Sequence, residues 1–181
     1  RGYKTDIYEG GHRIPLIVSW KGKFSNETNN SLVSLTDFYA TFAQMVNHKL
    51  KDEEAVDSYS IWPILSKQGA SNRKDLVYES GKGYLSLRTP QLKLVFNGGS
   101  GGWGYPNKPA DLAQLPPMQL FNLKEDPSEK ENIIHDKCYE QEVKEMTQLI
   151  RKYVKEGRST PGAEVANDTE NDWKQVNIFM Q

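Results

Sequence analysis

Lys4, Glu9, His12 and Arg13 fall within one short segment, arranged around the pair Gly10-Gly11. Lys4 offers a compact ammonium with three donors, a shape suited to a tetrahedral anion. Read by itself, such a lysine is a solvated surface group. His12 has the chemistry of a general acid or base. Glu9 and Arg13 are expected to brace the segment by pairing with each other, because a buried pair fixes geometry more reliably than it adds stability. Gly10-Gly11 reads as a tight turn or a positive-φ bend that carries backbone close to a pocket, and equally as an ordinary loop pair. Much later, Trp103 and Tyr105 sit in a Gly-rich stretch. Exposed aromatics there would stack on a sugar or aryl ring, or pin the loop to its own domain. His48 and His135 show no metal-ligand spacing. Cys138 is the single cysteine and forms no internal disulfide.

The elements that must position these groups follow from periodicity. Ile14 to Trp20 is apolar on both faces and reads as a strand inside a sheet covered above and below. Few residues precede it, so flanking strands are hard to find upstream, and a fragment of a longer protein is the expectation. Residues 34–47 read as an amphipathic helix. Ser34 is its N-cap, Asp37 completes an acidic capping box, and Leu35, Phe38, Tyr39, Phe42, Met45 and Val46 form the apolar stripe. A short helix is expected at 60–67, with Pro63 in its first turn. Short strands at 76–78, 84–88, 92–96 and 118–123 predict an antiparallel meander. Residues 97–117 read as a long exposed loop. The helix over 138–156 carries the stripe Val143, Met146, Leu149, Ile150, Tyr153 and Val154, with Gly157 as its C′ residue. The tail beyond Arg158 is expected to wind over the surface.

Apolar residues make up 36% of the 181 and charged residues 26%, as in soluble globular chains. A net charge of −1 gives no bulk attraction to nucleic acid or an acidic bilayer. No apolar run approaches the ~18 residues of a membrane span. Glycosylation-type triplets occur at Asn26, Asn29 and Asn167, a pattern common by chance.

Lys4 to Pro15 resembles the sulfatase segment in which a Lys and four variable residues precede Glu-Gly-Gly, one variable residue and Arg, here Lys4, Glu9-Gly10-Gly11 and Arg13. The family's following strand and Trp-x-Gly turn are matched by Ile14 to Trp20 and Trp20-Lys21-Gly22. Its helix with an early Asp and a buried Thr is matched by Asp37 and Thr41, although Ala40 stands where Pro is common. The strand pair with Arg, a turn and Lys-Leu is matched by Arg88 and Lys93-Leu94. Leu120 to Ile133 resembles the Leu-Tyr-Asp-Leu, Asp-Pro-x-Glu, Asn-Leu block, and Gly157 to Gly162 resembles a C-terminal run of arylsulfatase-like members.

The resemblance implies the last strand and helices of the large sulfatase α/β domain (residues 1–74), of the alkaline phosphatase superfamily. A small α+β subdomain would follow at 75–181, with a four-stranded antiparallel sheet on a long helix. It implies hydrolysis of aryl or carbohydrate sulfate esters by the full-length enzyme. Lys4 would contact the sulfate as a catalytic group. His12, Trp103 and Tyr105 would border the substrate, although the family tolerates unrelated residues at the place of His12, which favours a structural or rim role. The Cys/Ser-x-Pro-x-Arg signature, whose first residue becomes formylglycine, is absent. So are the Asp-rich segments that hold a divalent cation, calcium by resemblance. The isolated chain is therefore expected to be inactive and to bind no metal itself. Its partners would be a sulfate ester and the missing N-terminal part, in a periplasmic, secreted or lysosomal setting. A phosphate or phosphonate ester hydrolase and a non-catalytic glycan-binding module are the competing readings.

Overall fold

The computed structural model describes residues 1–166 and 173–180. The triplet at Asn167 lies outside the described residues. From the sequence a single cut at 74/75 is expected. The described chain divides into two compact, interleaved units. One holds Arg1–Pro15, Val77–Arg151 and residues 173–180, and the other holds Leu16–Leu76 and residues 152–166.

In the first unit, β1 (Leu76–Glu79), β2 (Leu85–Arg88), β3 (Leu92–Val95) and β4 (Gln119–Asn122) form one sheet in the order β1-β2-β3-β4. The pairs β2/β3 and β3/β4 are antiparallel, as the meander predicts. Gly83, at φ +82°, supplies the left-handed position that turns β1 into β2. Thr89 closes the next hairpin, its hydroxyl oxygen accepting the Leu92 N–H at 2.9 Å. β3 is buried along its whole length. Val95, Phe121 and Leu123 pack with Ile7 and Tyr8 from the N-terminal segment, flanked by Tyr78. Burying each such side chain contributes about 1.5–3 kcal/mol, so the segment around Lys4 is anchored by the residues that follow it.

The long helix α5 (Glu140–Glu156) forms where expected and buries Met146 and Ile150. Gly157, at φ +65°, ends it. The loop after β3 departs from expectation. Phe96, Asn97 and residues 99–102 are buried, and α4 (Pro109–Leu112) interrupts the stretch. Its glycines serve close backbone packing, not mobility.

After α1 (Glu9–His12) in sequence, the second unit contributes α2 (Asp37–Met45) and α3 (Trp62–Leu65), with Pro63 in the first turn of α3. Ser34 donates its N–H to Asp37 Oδ2 at 2.8 Å, the acidic half of the capping box. The rest of Asp37 does more. Its fully buried carboxylate takes Arg73 Nε at 2.9 Å and Nη2 at 2.5 Å, and accepts the Tyr59 N–H at 2.9 Å. Thr41, buried as the resemblance implies, donates to the Asp37 carbonyl and accepts the Ile61 N–H. The expected apolar stripe of α2 is corrected by the structure. Ala40, Thr41 and Ala43 are buried, whereas Leu35, Tyr39, Phe42 and Val46 face solvent. Small side chains let the helix approach α3 through its polar-looking face.

The expected strand at 14–20 is likewise outside any sheet, and Ile17 is 89% exposed. A β-prone run forms a strand only where another backbone accepts its hydrogen bonds. The Trp20-Lys21-Gly22 turn does form, with Lys23 N–H on the Trp20 carbonyl at 3.0 Å and Gly22 at φ +79°. Beyond α5 the tail is more than a surface wrap. Buried Arg158 gathers the carbonyls of Asp52, Thr160, Pro161 and Ala163 at 2.9 to 3.0 Å. In the first unit, α6 (Asn177–Met180) buries Phe179 against Phe96 at 4.5 Å between ring centroids.

Removing one partner of a buried ion pair strands the other's charge. Arg73→Met is expected to cost about 3–5 kcal/mol, read from urea unfolding of the chain. A loss below about 1 kcal/mol would mean the pair is dispensable.

Candidate functional site

The turn that carries Lys4 is built from backbone bonds. Asp6 N–H donates to the Tyr3 carbonyl at 2.9 Å, and Asp6 Oδ2 accepts the Tyr3 N–H at 3.1 Å. Thr5 sits at φ +80°, a costly conformation for a β-branched residue. Three contacts hold it there. Its carbonyl accepts the Gly81 N–H at 2.8 Å, its hydroxyl oxygen accepts the Trp103 N–H at 3.2 Å, and buried Asp6 accepts the Gly104 N–H at 2.8 Å. A Cβ on Gly104 would collide with the Asp6 carboxylate, and one on Gly102 would press on Thr5 and Asp6. The Lys4 side chain itself is exposed, and among the described residues its ammonium has no partner.

The other side of the turn rests on α1 (Glu9–His12). Gly10 donates its N–H to the Arg1 carbonyl at 2.9 Å, and a Cβ there would strike the Gly2 carbonyl. A Cβ on Gly11 would strike the carbonyls of Asp6 and Tyr3. The glycine pair is therefore a close-approach surface on which the lysine turn lies. Neither Gly10 nor Gly11 has a positive φ.

Glu9 does not pair with Arg13 among the described residues. Arg13 is exposed and contributes its N–H to the Glu9 carbonyl. The buried Glu9 carboxylate instead meets Lys93 Nζ and Arg88 Nε, each at 3.3 Å. Lys93 also reaches Glu129 Oε1 at 2.9 Å, while Glu129 Oε2 accepts the Glu9 N–H at 2.6 Å. Lys93 and Glu129 are both fully buried. The sequence carried a signal for this cluster. Arg88 and Lys93 are direct cross-strand partners. Like charges facing one another across a ladder repel, so a carboxylate must come from elsewhere in the chain.

Burial pushes the Lys93 ammonium below its usual range, with Glu129 and Glu9 opposing the shift. The Tyr78 ring lies 4.9 Å from Lys93 Nζ. Burial, then the charge of Glu9, pushes its hydroxyl up to about 12. His12 stacks on Tyr78 at 4.5 Å with an interplanar angle of 12°. Burial and Lys93 lower its pKa, and its Nε2 is enclosed without a partner among the described residues. His12 is thus packed beside the ion cluster, the structural alternative to a substrate-facing role. Trp103 is 64% and Tyr105 79% exposed, on the loop whose backbone holds Thr5 and Asp6. Among the described residues no three His, Cys, Asp or Glu side chains are grouped to hold a metal ion.

No family model matches the chain. It is 29% identical over 150 residues to the N-acetylgalactosamine-6-O-sulfatase of Bacteroides thetaiotaomicron, covering 83% of this chain and 29% of that protein. It is 28% identical over 142 residues to human arylsulfatase A, covering 72% and 28%. A solved structure from work on metabolism of multiple glycosaminoglycans by Bacteroides thetaiotaomicron, BT33336S-sulf, matches with a TM-score of 0.69 and 28% identity over 84% of this chain and 31% of that one. Over most of its length the chain is similar to sulfatases. It spans less than a third of the length of these sulfatases. Its four-stranded sheet and long helix are the architecture of the C-terminal sulfatase subdomain.

Tyr78 gives a pH test of the buried cluster. Between its ordinary 10 and about 12 the unfolded tyrosine ionises while the buried one keeps its proton. The folded state then holds more protons, so stability falls as pH rises. Tyr78→Phe removes that loss. Between pH 9 and 11 the variant is expected to lose about 1 kcal/mol less than the parent chain in urea unfolding. Parallel curves would show that Tyr78 titrates as if in water.

Proposed function

We propose that the complete protein is a sulfuric-ester hydrolase and that this chain supplies one catalytic cation and part of the substrate rim. The observation that carries the reading is Lys4, an exposed ammonium without a partner among the described residues, on a turn fixed on two sides, in a chain similar to sulfatases. Sulfate-ester cleavage gathers charge on the sulfuryl oxygens and the departing oxygen. A fixed ammonium beside them binds the transition state more strongly than the ground state. Trp103 and Tyr105 would meet the ring of an aryl or sugar substrate. His12 would shape the rim from its stacked position on Tyr78. Glu9, Gly10 and Gly11 would hold the Lys4 turn.

The nucleophile and the divalent cation, calcium by family resemblance, would come from polypeptide outside this chain. The described residues provide no ligand set for the cation, so no step is drawn through it. The same missing polypeptide accounts for two exposed apolar surfaces, the run at 14–20 and the α2 face of Leu35, Tyr39, Phe42 and Val46. Surfaces of that kind mark a docking partner. By kinship to the relatives named above, a sulfated glycan is the substrate class and a periplasmic, secreted or lysosomal compartment the setting. No helix among the described residues is long and apolar enough to cross a membrane. A phosphate or phosphonate ester hydrolase would use the same lysine. The exposure of Trp103 and Tyr105 gives some support to a third reading, a non-catalytic glycan-binding module.

In the complete protein, Lys4→Ala is expected to lower kcat on p-nitrophenyl sulfate about 100- to 1000-fold, and the isolated chain is expected to show no turnover. Turnover by the isolated chain, or a preference for the matching phosphate ester, would overturn the assignment. Trp103→Ala is expected to raise KM for a 6-O-sulfated N-acetylgalactosamine several-fold, about 1 kcal/mol of lost stacking. An unchanged KM would remove Trp103 from the rim.

A further inference from the structure

Lys93 and Glu129 are buried charges far from the exposed lysine in sequence, and the proposed chemistry does not use them. A buried ion pair is a poor source of stability, since apolar side chains of equal volume often serve as well. What it supplies is direction. Glu129 makes two different contacts with its two oxygens. Oε1 takes the Lys93 ammonium at 2.9 Å, and Oε2 takes the Glu9 N–H at 2.6 Å, in the first turn of α1. Lys93 then reaches the Glu9 side chain at 3.3 Å. The two groups therefore grip one residue by both its backbone and its carboxylate.

The grip is itself rigidly based. Lys93 lies on the interior strand β3, where its neighbours on both sides are paired. Glu129 adopts φ +54° in a turn closed by its own N–H on the Asp126 carbonyl at 3.1 Å. Asp126 Oδ2 accepts the N–H groups of Lys130 and Glu131 at 2.6 and 2.9 Å. The Asp-Pro-Ser-Glu turn thus has a purpose beyond reversing the chain, because it aims Glu129.

From Glu9 the constraint passes along a continuous set of contacts. Gly10 and Gly11 follow directly and lie against the Gly2, Tyr3 and Asp6 carbonyls with no room for a Cβ. Those carbonyls belong to the turn that carries the exposed Lys4. We propose that Lys93 and Glu129 are positioning residues, acting through Glu9 and the Gly10-Gly11 surface to fix where the Lys4 ammonium stands. This inference rests on the sulfatase reading for its effect on turnover, but its structural half can be tested without it.

The experiment uses the complete protein with Lys93→Met, Lys93→Arg, Glu129→Gln and Gly10→Ala. Two readouts are taken: kcat and KM on p-nitrophenyl sulfate, and amide hydrogen exchange. A displacement of about 1 Å at a reacting centre costs about 100-fold in rate. Lys93→Met, Glu129→Gln and Gly10→Ala are therefore expected to lower kcat about 10- to 100-fold with KM changed less than about threefold. Exchange at Asp6, Glu9 and Gly10 should rise at least about tenfold, while Leu94 and Leu120 in the β3/β4 ladder stay protected. Lys93→Arg should recover most of the rate. Gly10→Ala leaves every charge in place, so it carries the test if a charge variant does not fold. The proposal is overturned if the variants keep parental kcat, if exchange rises equally across the sheet, or if Lys93→Arg is no better than Lys93→Met. If the parent protein does not cleave the sulfate ester, the functional reading has failed, and the exchange pattern alone decides whether the clamp exists.

Discussion

A lysine with no exposed surface can keep its charge only if carboxylates replace the water it has lost. Lys93 meets that condition with Glu9 from the N-terminal segment and Glu129 from the turn after β4. Much of the first unit follows from satisfying this one ammonium. The segment before residue 13 must lie on the sheet, and the turn at 126–129 must face inward. Tyr78 and His12 then fill the remaining faces of the cluster. The apolar side chains of Ile7 and Tyr8 supply burial energy for the same arrangement, but they specify it less sharply than the charges do.

How much of this was legible in the sequence depends on whether the deciding contact is local. The four strands and the long helix carry their own periods, and they form where those periods place them. The stripe of α2 is apolar, as its spacing gives, but Leu35, Tyr39, Phe42 and Val46 on it are exposed. Periodicity reports which residues share a face but not what lies opposite, and the small residues Ala40, Thr41 and Ala43 took the inner side. The Gly- and Pro-rich stretch after β3 has the composition of an exposed loop. Here its glycines signal contact, with Gly102 and Gly104 pressed on Thr5 and Asp6. Arg13, four residues away, is the nearest cation in sequence to Glu9, yet the carboxylate meets Arg88 and Lys93 on the sheet. Only the register that sets Arg88 opposite Lys93 could have pointed to them.

The second unit shows the converse case, an apolar pattern that finds no partner among the described residues. Ile14 to Trp20 has the composition of a central strand and no ladder to join. Its exposure and that of the α2 face sit beside a well-satisfied interior, where Asp37, Arg73 and Thr41 leave few polar groups unpaired. The unit is thus well ordered inside while leaving apolar surface in water. A domain interface has that character when one half of it is viewed alone.

The bond between the Glu9 N–H and Glu129 closes a loop of 120 residues. Contacts of such separation form late, because the chain entropy they remove is recovered only when much else is in place. The four-residue helix at Glu9 is too short to hold by itself, and its position on the sheet is settled only after β4 and the turn beyond it exist. During synthesis the lysine turn therefore stays unfinished until the ribosome has released nearly three quarters of this sequence. A chain cut between Asn122 and Glu129 would have the residues of all four strands but no fixed place for the lysine.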